Sequence, residues 1–287
     1  MYLEQINLEQ IKQKNIEADI LRIDKTHEVV SGNKPFKLKY YLEDCKKQNK
    51  DTILTFGGAY SNHIVATAFA CREAKLNSIG VIRGNFFTEL SHTLKDAISY
   101  DMKLEFFSKE EFRNRKEKYT YLKEKYGDIY IIPEGGEGIL GIKGSEDILK
   151  VDDCTSYTHI ICAMGTGTTY IGIARASEEK QIIIGIPVLK GFDNILVSDY
   201  FKNIPENKKK YCKIFSNYHF GGYAKKTELL LNTINNFYDK TKIPTDFVYT
   251  GKMLYAFLDL LEKDFFPENS KVLLIHSGGL QGNLSIN

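Results

Sequence analysis

The chain has 287 residues, with 39 Lys and Arg against 37 Asp and Glu for a formal charge of +2, and 43% of its residues are hydrophobic. That balance leaves no electrostatic footprint for nucleic acid or an anionic membrane, and no apolar run approaches the ~20 residues that cross a bilayer. The five cysteines, Cys45, Cys71, Cys154, Cys162 and Cys212, are odd in number and scattered without a C-x-x-C, so free thiols are expected rather than disulfides or a metal site.

The opening stretch MYLEQINLEQIKQKNIEADI is polar and mixed in charge, without the apolar core of a signal peptide, so a cytoplasmic protein is expected. A length of this order predicts about two domains at ~150 residues each. Along the chain, β-branched runs alternate with longer stretches of helical spacing. Strands are expected at 52–56, 78–83, 103–107, 129–132, 159–163, 182–186, 211–215 and 271–275. Helices are expected at 36–49, 62–75, 90–100, 109–126, 139–151, 168–176, 227–239 and 251–263, with Pro35 at a first helical position and Gly127 as a stop. Alternation of this kind predicts an α/β fold of mostly parallel sheets covered by helices on both faces.

Ligands of such sheets bind beyond the carboxyl ends of strands, so the residues that follow each strand carry the functional information. Four strand ends open into small, glycine-rich loops: Gly57-Gly58-Ala59-Tyr60-Ser61-Asn62-His63, Pro133-Glu134-Gly135-Gly136-Glu137-Gly138, Gly165-Thr166-Gly167-Thr168-Thr169 and Ser277-Gly278-Gly279. Any one could be a packing turn, but four together point to a site for an anionic small molecule. Gly165–Thr169 precedes a helix expected to begin near Tyr170. Its backbone N–H groups and hydroxyls suit a phosphate, though it has neither the lysine of a Walker loop nor a G-x-G-x-x-G spacing. A nucleotide fits that loop as well as any other phosphate ester.

In Ser31-Gly32-Asn33-Lys34-Pro35-Phe36-Lys37, Pro35 places Lys34 at a helix cap and Lys37 one turn on. An amine at the positive end of a helix dipole is biased towards its neutral, nucleophilic form. Most lysines of so lysine-rich a chain are nevertheless solvated surface charges. Ser61 and Asn62 are ordinary helix caps or, with His63, ligands of an anion. No Asp or second His stands at a spacing that marks a Ser-His-Asp triad, although triad order varies between folds. Tyr223 and Tyr249 sit beside glycines, and His276 ends the last strand.

The motifs SGNKPFKLKYYL (31–42), GGAYSNH (57–63), IPEGGEGILGIKG (132–144), GTGTT (165–169), FGGYAKKTELL (220–230), FVYTGKML (247–254) and IHSGGLQG (275–282), with Arg22, Asp24 and His27 ahead of them, occur in one order along nearly the whole chain. In this order they resemble the 1-aminocyclopropane-1-carboxylate deaminase / D-cysteine desulfhydrase family of pyridoxal-phosphate enzymes. The resemblance implies the two-domain fold of the tryptophan synthase β subunit. A larger cofactor domain would comprise 1–46 and 141–287, a smaller one 47–140, with the active site in the cleft between them, in a homodimer.

By the same resemblance, Lys34 forms the internal aldimine with pyridoxal phosphate and moves the Cα proton, with Asn33 beside it and Lys37 near the cofactor phosphate. Ser61, Asn62 and His63 hold the substrate carboxylate and touch the cofactor's 3′-oxygen, and Ser61 assists proton transfer. Gly165, Thr166, Gly167, Thr168 and Thr169 form the phosphate cup, and Tyr223 and Tyr249 are the active-site tyrosines. Ser277 or Thr250 meets the pyridine nitrogen, and a neutral hydroxyl there suits elimination.

Deaminases that open the cyclopropane ring carry Glu after the second tyrosine, where this chain has Thr250, as D-cysteine desulfhydrases do. The implied reaction is β-elimination from a small amino acid, D-cysteine first, to a 2-oxo acid and ammonia; cyclopropane opening is the alternative within the family. Tyr60 departs from the family pattern and would narrow the substrate pocket.

Overall fold

A computed structural model describes residues 2–84, 89–192, 199 and 201–285. It divides into two compact units, one of Met1–His27, Ser31–Asn33 and Ser145–Asn287 and one of Glu28–Val30 and Lys34–Gly144.

The larger unit is built on β1 (Leu3–Gln5), β2 (Glu17–Leu21), β7 (His159–Met164), β8 (Ile182–Pro187), β9 (Cys212–Ile214) and β10 (Lys271–Ile275), and the smaller on β3 (Thr52–Gly58), β4 (Asn77–Arg83), β5 (Lys103–Phe107) and β6 (Tyr130–Ile132). The larger sheet runs β1-β2-β10-β7-β8-β9 and the smaller β5-β4-β3-β6. Every pairing is parallel except β1 with β2.

The α/β class is therefore as expected, and the central strands show why. All six residues of β7 are buried, as they must be when helices cover both faces of a sheet. Ile161 and Leu274 pair in register and pack with Ile184, Met253 and Phe257. Each such side chain contributes about 1.5–3 kcal/mol by leaving water.

Several elements differ from the sequence expectation. β1 and β2 were hidden in the polar opening stretch. In β2 Ala18 and Ile20 turn inward while Glu17 stays out, a period of two that five residues display weakly. The expected helix over 109–126 is two, Lys109–Arg113 and Tyr119–Tyr126. The first is closed by a capping box of Ser108 and Glu111, and the second ends at Gly127. The expected helix over 139–151 is α-helical over Ile139–Glu146 and tightens to a 3-10 turn over Asp147–Lys150.

The division also differs from the boundary expected at 46. The helix Lys34–Lys47 belongs to the smaller unit, because Leu38, Tyr41 and Cys45 on its inner face pack with Ile53, Ala66, Cys71, Tyr130 and Ile132.

Candidate active site

In the smaller unit the expected residues gather at the carboxyl end of β3. Gly57 and Gly58 close that strand, and the helix Asn62–Glu73 begins four residues later. A Cβ on Gly57 would lie 2.8 Å from Ser61 Oγ, so only glycine lets the turn fold this tightly. Ser61 occupies the N-cap position, yet its side chain makes no capping bond. Its hydroxyl is thus not consumed by the ordinary structural role of a serine at a helix start.

The next two residues leave buried lone pairs unpaired. Among the described residues, neither Asn62 Oδ1 nor His63 Nδ1 has a hydrogen-bond partner. His63 is 2% exposed, and its Nε2 lies 2.8 Å from Thr55 Oγ1. Thr55 donates its hydroxyl proton to the Ile132 carbonyl at 2.9 Å, so Nε2–H must be the donor towards Thr55. The proton is therefore on Nε2 and the lone pair on Nδ1. Burial first, then the nearby charges of Lys34 and Lys37, hold His63 well below the ordinary histidine range.

A neutral imidazole offering a lone pair on Nδ1 accepts a hydrogen bond from a proton donor. Thr55, which the sequence did not single out, sets that state from inside a fully buried strand.

Lys34 is the first residue of its helix rather than the cap, and it is half-buried. Lys37, one turn on, is 5% exposed and donates to the Gly135 carbonyl at 3.1 Å, tying its helix to the loop after β6. Tyr60 lies apart from this group. It is 57% exposed and its ring meets His92 at 5.8 Å.

In the larger unit β7 runs into Gly165–Thr169. Gly167, with φ +81°, caps the helix Thr168–Ala176, the range expected from the spacing, so Thr168 and Thr169 stand in its first turn. Thr166 and Thr168 bring their hydroxyls within 3.0 Å of each other, and Thr169 Oγ1 accepts from Asn33 Nδ2 at 2.9 Å. Asn33 N donates in turn to the Ser277 carbonyl at 3.2 Å. Gly32 makes this approach possible: its φ is +69°, and a Cβ there would lie 2.0 Å from Ser277 O. The loop after β10 and the segment that leads to Lys34 thus lie backbone to backbone.

Tyr249 packs against the same strand end, where a Cβ on Gly165 would sit 3.3 Å from its ring. Tyr223 meets Tyr249 edge to face at 6.0 Å.

Thr250 is not available to a ligand in the way expected. It is fully buried, donates its hydroxyl to Asp246 Oδ1 at 2.6 Å and accepts from Asp246 N at 2.9 Å. Asp246 was missed by sequence reasoning. Its carboxylate accepts from the backbone N–H groups of Val248, Tyr249 and Thr250, each at 2.8 Å, and so fixes the entry to the helix Thr250–Glu262. Burial pushes its pKa up, against the pull of those donors. The visible signal was an Asp four residues before a helical Thr, a capping pattern inside a run otherwise read as loop.

Two sets of polar groups, one of donors and one of acceptors, thus stand at strand ends. Around Gly165–Thr169, hydroxyls and N–H groups at the start of a nine-residue helix, with Asn33 alongside and no acid among them, fit a phosphate ester. Around Ser61–His63, unpaired buried lone pairs beside two lysines fit a ligand that brings donors of its own.

The model of the family described as pyridoxal-phosphate dependent enzyme matches residues 10–278. The chain belongs to this family. Its cofactor is pyridoxal phosphate. A Pyrococcus furiosus protein named "Putative 1-aminocyclopropane-1-carboxylate deaminase" is 31% identical, over 94% of this chain and 87% of its own length. The bifunctional D-cysteine desulfhydrase/1-aminocyclopropane-1-carboxylate deaminase of Arabidopsis thaliana is 29% identical, over 92% of this chain and 72% of its own. Among solved structures, an ACC deaminase homologue superposes with a TM-score of 0.82 at 26% identity, covering 98% of this chain and 90% of the other. These likenesses agree with the fold and family expected from the motifs, and they displace the reading of Gly165–Thr169 as a nucleotide site.

Proposed function

We propose that the chain is a lyase acting on a small D-amino acid, D-cysteine first, which it converts to pyruvate, sulfide and ammonia. Pyridoxal phosphate, when bound, delocalises the electron pair left at the substrate Cα. The protein's part is to orient the substrate and to move protons. Lys34, half-buried at the start of its helix, holds the cofactor and removes the Cα proton. His63, kept neutral, accepts a hydrogen bond there instead of competing for that proton. Ser61, whose hydroxyl is free of capping duty, assists proton transfer, and Asn62 receives a donor of the bound ligand. Gly165–Thr169 and Asn33 hold the phosphate, and Tyr223 and Tyr249 face the substrate.

One observation carries the choice of substrate. The residue after Tyr249 is Thr250, and its hydroxyl is committed to Asp246, so the site presents no acid at the position where cyclopropane-opening relatives place one. The same bond favours Ser277, at the mouth of β10, as the hydroxyl nearest the pyridine nitrogen. The protein is further proposed to be a cytoplasmic homodimer, which the family resemblance supports.

Purified protein incubated with pyridoxal phosphate is expected to develop a visible absorption band and to release sulfide and pyruvate from D-cysteine. Lys34→Ala is expected to lose the band and at least 10³-fold in kcat. A protein that stays colourless would overturn the assignment of the site. Release of 2-oxobutanoate from the cyclopropane substrate, with nothing from D-cysteine, would transfer the function to the alternative within the family.

A further inference from the structure

Lys252 has no role in the site as described, yet its surroundings are unusual for a lysine. It lies in the first turn of the helix Thr250–Glu262 and is fully buried. Its Nζ donates to the His219 carbonyl at 2.9 Å and to the Gly222 carbonyl at 2.7 Å. Burial pushes its pKa down to about 8, against the pull of Asp246. A buried ammonium persists only where acceptors replace its water, and here both acceptors belong to one short turn.

That turn is conformationally costly. Phe220 (φ +52°), Gly221 (+89°), Gly222 (+119°) and Ala224 (+53°) all lie in the left-handed region, which Phe and Ala seldom adopt. Such backbone holds its shape where the surroundings over-determine it. Three ties do so, all to the helix that carries Lys252. Tyr218 donates its hydroxyl to Asp259 Oδ2 at 2.5 Å, Phe220 packs edge to face on Tyr255 at 4.8 Å, and Lys252 holds the two carbonyls. The residue that emerges from the turn is Tyr223, 45% exposed, which reaches its ring to Tyr249.

We propose that Lys252 is a positioning residue that fixes Tyr223 against Tyr249 by holding the 219–222 turn. The proposal rests on the assignment of those two tyrosines to the active site. Tyr218 and Phe220 act on side chains ahead of the bend, whereas Lys252 grips the backbone on both sides of it. Removing its donors frees Tyr223 while leaving the helix and the sheet beneath it intact.

The test pairs a measurement on the cofactor-free protein with one on the holoenzyme. Lys225 and Lys226 directly follow the turn and are exposed, so trypsin reports its opening. In Lys252→Met, cleavage after these residues in the absence of cofactor is expected to quicken at least tenfold, with a far smaller change at other sites. In the holoenzyme, kcat for D-cysteine is expected to fall about tenfold. In a Tyr223→Phe background the same substitution is expected to cost less than twofold, because its route of action is already gone.

Lys252→Leu, which removes the donors on a shorter chain, is read the same way should the Met variant not fold. Unchanged proteolysis, or kcat losses that simply multiply in the double variant, would overturn the proposal. If D-cysteine is inert in the wild type while the proteolysis result holds, the fault lies with the substrate assignment and not with the role of Lys252 in the turn.

Discussion

Two regions of this chain carry buried polar groups, and they treat them in opposite ways. In the larger unit Asp246, Thr250 and Lys252, at the entry to the helix Thr250–Glu262, are fully engaged: Asp246 accepts four hydrogen bonds, Thr250 donates and accepts, and Lys252 meets two carbonyls, although Thr245 Oγ1 beside them is unpaired among the described residues. In the smaller unit the start of the helix Asn62–Glu73 is left open, with Asn62 Oδ1 and His63 Nδ1 buried and unpaired among the described residues and Ser61 making no cap. An unpaired buried polar atom costs about 1–3 kcal/mol, a cost that a bound ligand can remove. On the proposed function, the engaged network is scaffold and the open one is working surface. Substitutions in the first should damage stability, and substitutions in the second should damage function.

The largest effect is expected at Asp246. Asp246→Ala strands three backbone N–H groups and one hydroxyl in a buried place, and unfolding free energy should fall by about 3–5 kcal/mol. Urea denaturation of the cofactor-free protein measures it directly, as a shift in midpoint at constant slope. A loss below about 1 kcal/mol would mean that the engaged network is incidental and would remove the contrast.

How much of this was readable beforehand follows the same division. The places of Gly165–Thr169 and Ser61–His63 at strand ends were legible because their signals are local, a strand, a glycine turn, a helix start, whereas Lys34 stood out only through the family resemblance. Asp246, Thr55 and Lys252 were not, because each acts through residues that sequence spacing does not join. Thr55 reads as one more residue of a β-branched strand, and nothing nearby shows that its hydroxyl will choose the tautomer of His63. Lys252 reads as a surface lysine until the helix is seen to bury that face, although Met253 and Leu254 beside it hinted as much. The helix Lys34–Lys47 shows a related limit. Its own sequence predicted that it would form, and only packing revealed which sheet it covers.

A smaller effect is expected from His63, and it depends on pH. Its pKa is lowered in the folded state, so the unfolded chain binds the proton first as pH drops below about 6.5. The stability it supports is therefore fully present above that pH and is lost on acidification. His159, brought down to about 4 by burial, and His276, also lowered, add slopes of the same sign. The informative quantity is thus the difference between the wild type and His63→Phe. The two stability curves should diverge at neutral pH and approach each other towards pH 5. Parallel curves would mean that His63 carries a proton in the folded state, and the tautomer deduced from Thr55 would fall with it.

The smallest effect on stability, and the sharpest comparison with Asp246, is expected at Asn62. Its Oδ1 makes no hydrogen bond, so Asn62→Ala removes a buried acceptor that the fold never satisfied and places a stronger helix former in the first turn. Unfolding free energy of the cofactor-free protein should change by less than about 1 kcal/mol, in either direction. On the proposed assignment the same oxygen gains its partner when pyridoxal phosphate binds, and at least a tenfold loss in cofactor affinity or in kcat/KM is expected. Thermal melts with and without cofactor separate the two, because a ligand that binds the native state raises the midpoint by an amount set by its affinity. The wild type should gain more from the cofactor than Asn62→Ala, from nearly the same starting point. Equal gains would show that the unpaired oxygen is a defect of packing, and an Asn62→Ala loss as large as that of Asp246→Ala would show that the open region is scaffold as well.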